Sequence, residues 1–170
     1  MIWVILLRKI QPVQETGFAS MATTFSNLLY HLVFSTKSRQ PSIRAEIREP
    51  LYEYMGGILR AEGGILLEIG GMPDHVHLLA KLKTDIAVSV VVKEVKAKSS
   101  KWLNERPGAL ERFEWQVGYG IFSVSASLAD KVRTYIQSQE EHHRRVSFRD
   151  ELISLLERNG IPYDERYLLG

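Results

Sequence analysis

The chain has 170 residues, 45% of them hydrophobic, no cysteine and a formal net charge of +2. That is enough apolar chain for one domain with a real core, and it excludes disulfides, thiolate zinc sites and cysteine nucleophiles. A sequence pI of about 8.8 is too mild a bias to argue nucleic acid alone but allows a local basic groove; the lack of cysteine is compatible with a reducing cytoplasm.

The opening "MIWVILLRKIQPVQETGFAS" holds one apolar run, Ile2 to Leu7, far shorter than the roughly 20 residues that cross a membrane. Arg8 and Lys9 follow that run, whereas a secretory signal carries its charges first. Residues 1–20 are therefore expected to be a non-native or disordered extension, with the domain running over residues 21–170 from Met21. Leu28 to Thr36, "LLYHLVFST", is rich in aromatic and β-branched residues and reads as a strand. Arg44 to Glu62 carries apolar residues at helical spacing, with Pro50 and Gly56-Gly57 expected to kink it. Gly64 to Gly71 is a second strand, and after a Pro73-Asp74 turn comes "HVHLLAKL". Val76, Leu78, Leu79 and Ala80 break simple alternation, which predicts a central strand covered on both faces. His75 and His77 then point the same way.

Ile86 to Asn104 reads as a helix with Val88, Val91, Val92, Val95 and Trp102 inward and Lys93, Lys96, Lys98 and Lys101 outward. Phe113 to Val124 is the fourth strand, its glycines predicting a bend. Ser127 to His143 is a helix opened by a Ser127/Asp130 capping signal, and a last helix runs from Ser147 to Asn159. The order β-α-β-β-α-β plus two helices predicts an α+β, ferredoxin-like split βαβ fold. Its antiparallel sheet has the first and third strands central and helices on one side, with a C-terminal tyrosine helix added.

That helix holds "YIQSQEEHHRR". Tyr135 and Gln139 are four residues apart and share a face. Over the histidine strand, the inventory becomes His75, His77, Gln139 and Tyr135. Two imidazoles and an amide oxygen can hold a divalent ion with open positions for a phosphate oxygen, and the tyrosine oxygen can attack phosphorus in line. A His-x-His pair on an apolar strand is nevertheless more often two satisfied core histidines, and a lone Tyr-x-x-x-Gln says little.

"HVH" resembles the His-hydrophobic-His motif of HUH nucleases, and the tyrosine–glutamine spacing resembles their single-tyrosine transposases, the IS200-like family of the smallest bacterial insertion sequences. The likeness extends through "YHLVFSTKSRQP", "MPDHVHLL", "KAKSSKWL", "WQVGYGIFSVS", "YIQSQEEHH" and "GIPYDERYL", in that order. The resemblance implies metal binding by His75, His77 and Gln139, and Tyr135 as the nucleophile that forms a 5′-phosphotyrosine link to single-stranded DNA. It further implies a divalent cofactor, Mg or Mn, recognition of hairpin ends, and a homodimer whose subunits exchange tyrosine helices to complete each site.

Other residues keep two readings. Lys93, Lys96, Lys98 and Lys101 form either a solvated face or a DNA-backbone contact. Trp102, Trp115 and Tyr119 are stacking or core residues. His142 and His143, followed by Arg144 and Arg145, are expected to form a solvated or phosphate-contacting helix end. His31 is expected to be buried or at the DNA edge, without a catalytic role. Asp74 is either a carboxylate supporting a histidine or a turn residue. The rival functions are a non-catalytic single-strand nucleic-acid binder, a metal-dependent hydrolase that uses water, and a domesticated relative acting on host hairpin repeats.

Overall fold

The computed structural model describes residues 25–107 and 112–168; the expectation for residues 1–20 lies outside them. Four strands form one antiparallel sheet: β1 (Leu28–Ser35), β2 (Ile65–Met72), β3 (His75–Leu82) and β4 (Gly120–Val124), in the order β2-β3-β1-β4. The first and third strands are central, as the split βαβ plan requires. β3 is buried on both faces from His75 to Ala80.

One face is the apolar core. Leu32 and Phe34 of β1 and Val76, Leu78, Ala80 and Leu82 of β3 pack against α1 (Ala45–Ala61) and α2 (Val88–Asn104). Leu51, Met55 and Leu59 recur every four residues along α1 and are fully buried, each contributing about 1.5–3 kcal/mol by leaving water. Pro50 lies inside α1, which runs as one helix through it.

The opposite face is covered by three helices after β4: α3 (Ala129–Gln137), α4 (Gln139–His142) and α5 (Phe148–Arg158). α3 packs on β2 and β3. α5 packs Phe148 with Val33 and Phe122, flanked by Leu152, Leu155 and Leu156. Ser147 caps α5 by accepting from the Asp150 amide.

Three expectations change. The fourth strand shrinks from Phe113–Val124 to Gly120–Val124, because the chain turns at Gly118, whose φ is +84°, and Trp115 makes only an isolated bridge to Thr36. The tyrosine helix breaks at Ser138, whose backbone leaves helical values (φ −97°, ψ 18°). Ser127 does not cap it: residues 126–128 first form a 3₁₀ turn, and the Ser127 hydroxyl pairs with Ser125 instead.

Candidate active site

Strand register builds one wall of the site. Val33 lies opposite His77 and His31 opposite Leu79, so His31 is the diagonal neighbour of His77 on the same face. His31, His75 and His77 are all buried. His31 Nε2 lies 2.9 Å from His77 Nδ1. Burial, helped by the neighbouring His77, pushes the His31 pKa down to about 3, so that ring is neutral.

The helices build the other wall. α3 approaches β2 closely because Gly70 has no side chain: a Cβ there would collide with the Ile136 carbonyl. That seat holds the Tyr135 ring 6.0 Å from the His77 ring and 6.1 Å from His31, edge-on to both. The break at Ser138 turns α4 so that Gln139 is buried, with its Oε1 3.4 Å from His75 Nε2.

Glu151, from α5, stands at the centre and is 2% exposed. Its Oε1 accepts hydrogen bonds from the Tyr135 hydroxyl and, at 3.0 Å, from Gln139 Nε2. Its Oε2 lies 3.2 Å from His143 Nε2, 3.3 Å from His77 Nε2 and 3.9 Å from His75 Nε2. Burial works against the Glu151 charge, but the hydrogen bonds donated by the tyrosine and the amide outweigh it and hold the carboxyl well below its ordinary range. Burial first, then the charge and hydrogen bond of Glu151, push the Tyr135 phenol upward; in this arrangement it keeps its proton at neutral pH.

The imidazole partners settle where protons are. His75 Nδ1 lies 2.8 Å from Asp74 Oδ1. Burial raises the Asp74 pKa, yet hydrogen bonds from His75 and Arg39 prevail and bring it to about 2, so this carboxylate only accepts and His75 Nδ1 carries the proton. His143 Nδ1 lies 2.8 Å from the Val146 carbonyl, also acceptor-only, and must donate. Burial lowers the pKa of His77 and His143, leaving neutral rings; the Nε2 of His143 is then a bare lone pair. His77 Nε2, His143 Nε2 and Glu151 Oε2 are buried without a hydrogen-bond partner among the described residues.

Buried polar atoms left unpaired are costly, and here they converge. His75, His77, His143 and Glu151 offer ligand atoms within 4.8 Å of one another. Imidazole nitrogens with a carboxylate and an amide oxygen suit a divalent transition ion. These residues fit a divalent metal.

Further supports surround the cluster. Phe148 stacks on His75 with centroids 4.2 Å apart. Arg39 holds Asp74 through bonds of 2.9 and 3.1 Å. Ser38 and Arg39 both have positive φ, 51° and 56°, a strained conformation for side-chain-bearing residues of the kind found beside functional sites.

The structure thus brings Tyr135, His75, His77 and Gln139 together. It corrects the reading of His142 and His143, which do not form a solvated helix end. The break at Ser138 turns both rings inward: the His143 side chain is 6% exposed, and His142, 28% exposed at its side chain, places Nε2 3.5 Å from Glu151 Oε1. Glu151 went unread, although its place among Phe148, Leu152 and Leu155 on the apolar stripe of α5 marks a charge in a buried position. His31 belongs beside the site as well.

The basic residues separate. Lys98 pairs with Glu62 and Glu94, Lys101 lies 3.8 Å from Glu105, and Arg144 and Arg145 pair with Glu141. Lys96 is not an outward lysine: it is half-buried, with its ammonium donating to the carbonyls of Gln116 and Gly118 at 2.5 and 2.6 Å. Lys93 has no ion-pair partner among the described residues and lines, with Lys37, Lys96, Arg112, Asn104 and Tyr119, an open groove of about 790 Å³. Trp115 is core, bonded to Ser99 at 2.9 Å; Trp102 stacks on Tyr54, and Tyr119 is exposed.

Residues 24–139 match the family described as "Transposase IS200 like". A transposase for insertion sequence element IS200 from Salmonella typhimurium is 30% identical over 130 residues, covering 74% of this chain and 85% of the relative. The ISDra2 transposase TnpA of Deinococcus radiodurans is 29% identical over 119 residues, covering 67% of this chain and 85% of the relative. Among solved structures, a REP-associated tyrosine transposase bound to a REP hairpin superposes with a TM-score of 0.56 at 14% identity over 76% of each chain, a likeness of fold.

Proposed function

Because the chain belongs to the IS200-like transposase family, we propose that it cleaves and rejoins single-stranded DNA at hairpin-bearing element ends through a 5′-phosphotyrosine on Tyr135. The observation that carries this reading is a phenol hydrogen-bonded to the same buried carboxylate that three imidazoles face. A hydrolase using water has no need of the phenol, and a pure binding module has no need of the cluster.

His75, His77 and Gln139 are the residues proposed to hold a divalent cation, joined by His143 and Glu151. When bound, that cation, Mg or Mn, supplies Lewis-acid polarisation of the scissile phosphoryl group; two or more imidazoles favour Mn over Mg. Glu151 Oε1 and Gln139 hold the tyrosine hydroxyl toward the histidine wall. The Tyr135 oxygen forms the new bond to phosphorus as the bond to the 3′-oxygen breaks. The phenol proton passes to Glu151 Oε1, which accepts its hydrogen bond. The departing 3′-oxygen takes up a proton from water to become the free 3′-OH, whose attack reverses the step, so no nucleotide cofactor is required. Lys93 and Lys96 supply positive charge along the groove, where Lys37 and Arg112 are paired with Glu114, with Tyr119 as a stacking surface for a base. The hairpin-bound neighbour of the same fold supports hairpin ends as the substrate.

The test is cleavage of labelled single-stranded DNA carrying the hairpin ends that flank the gene. EDTA should silence the protein, and Mn²⁺ or Mg²⁺ should restore it. His75→Ala and His77→Ala should each abolish cutting while keeping the far-ultraviolet circular dichroism of the wild type. Full cleavage in EDTA would contradict the metal reading.

A further inference from the structure

Three imidazoles present Nε2 to Glu151 Oε2, and for two of them the choice of tautomer is forced. His75 donates from Nδ1 to a carboxylate and His143 donates from Nδ1 to a carbonyl. His77 differs, because the partner of its Nδ1 is another imidazole, His31, 2.9 Å away. Two arrangements are chemically open there. Either His31 donates, leaving a proton on His77 Nε2 and pointing it at Glu151, or His77 donates from Nδ1 and its Nε2 is a bare lone pair.

The geometry of the Glu151 side decides. A proton on His77 Nε2 should be engaged by a carboxylate oxygen only 3.3 Å away, yet neither His77 Nε2 nor Glu151 Oε2 makes a hydrogen bond. We infer that His31 is a positioning residue: its Nε2 accepts from His77 Nδ1–H and so locks His77 in the tautomer whose Nε2 is free to bind a cation. Asp74 does the same for His75 with a carboxylate. The cluster is therefore supported unequally, one imidazole by an anion and the other by a neutral ring. The placement follows from the fold, since the diagonal pairing of β1 with β3 puts His31 beside His77 and nowhere near His75 Nδ1.

The tautomer claim stands on hydrogen bonding alone; its consequence for metal affinity rests on the reading of the cluster as a metal site. The experiment has two arms. Nitrogen-15 imidazole spectra of the metal-free wild type should show His77 protonated at Nδ1 and unprotonated at Nε2. Manganese affinity, read by electron paramagnetic resonance of free Mn²⁺, should fall about 10- to 100-fold in His31→Phe, which keeps a ring but removes the acceptor. His31→Gln, whose amide oxygen can stand where Nε2 stood, should recover most of that loss.

A proton on His77 Nε2 in the wild type overturns the inference, whether or not the variants fold. Wild-type affinity in a folded His31→Phe, or a folded His31→Gln as weak as the Phe variant, overturns it too. If the wild type binds no Mn²⁺ while His77 carries its proton on Nδ1, the metal reading fails and the tautomer assignment stands.

Discussion

Glu151 shares one carboxylate between a phenol, an amide and a ring of imidazole nitrogens, and only the first two are donors. The other side of the carboxylate faces lone pairs, an arrangement that is unfavourable until a cation enters it. Glu151→Gln replaces that side with an amide N–H able to donate to a bare Nε2 while the amide oxygen still accepts from Tyr135. The metal-stripped variant should therefore be more stable than the metal-stripped wild type by about 1–3 kcal/mol, and Mn²⁺ should raise the wild-type melting temperature but not the variant's. Thermal melts with and without Mn²⁺ check both; a metal-free variant less stable than wild type would contradict the lone-pair account. At this scale the sequence showed His75, His77, Tyr135 and Gln139 through spacing and family likeness. It hid Glu151 because its partners lie 8 to 76 residues away in sequence and no spacing ties them together, and it misdirected His143 because a backbone break, not a side-chain pattern, aims that ring inward.

The seat of α3 on β2 is the element-scale feature that brings nucleophile and histidines together. Gly70→Ala would push a methyl into the Ile136 carbonyl, and backbone yields less readily than a side chain. About 1–3 kcal/mol of stability should be lost to overpacking, and DNA cleavage should fall further than that loss explains, since Tyr135 is the next residue. Gly57→Ala is the control: its Cβ would meet only the end of Arg60 at 3.9 Å within α1, and relief of glycine's helix penalty should stabilise by about 0.5–1 kcal/mol. Melting curves and cleavage rates below both melting temperatures check the pair; equal activity in both variants would show that the α3 seat does not position the tyrosine. Elements with a strong period were legible from composition: β1, β3, α1, α2 and α5 fall within a few residues of expectation. The ends of β4 and the break at Ser138 were not. They depend on Lys96 tying down the carbonyls of Gln116 and Gly118, and on α4 turning toward a cluster whose members lie far apart in sequence.

At the scale of the molecule, the sheet separates an apolar face under α1 and α2 from a face that carries the chemistry under α3 to α5. The family resemblance implies two chains that exchange tyrosine helices, whereas the contacts described here bring Tyr135 and His77 together within one chain. Mixing Tyr135→Phe with His75→Ala separates the two assemblies. Single-chain sites leave every mixture inactive; recovered cleavage, with subunit exchange verified, would mean that α3 docks on a partner's β2 by the same contacts. Either assembly makes the same central claim, that the Tyr135 oxygen attacks phosphorus. Tyr135→Phe removes one oxygen and keeps the ring, so packing and DNA affinity should barely change. The direct measurement is a denaturing gel of 3′-labelled single-stranded DNA bearing the cognate hairpin end, incubated with Mn²⁺ and either protein. The wild type should retain label as a covalent protein–DNA adduct and Tyr135→Phe should retain none; label on the Phe variant, or no adduct from wild type on an end it demonstrably binds, would contradict the assignment.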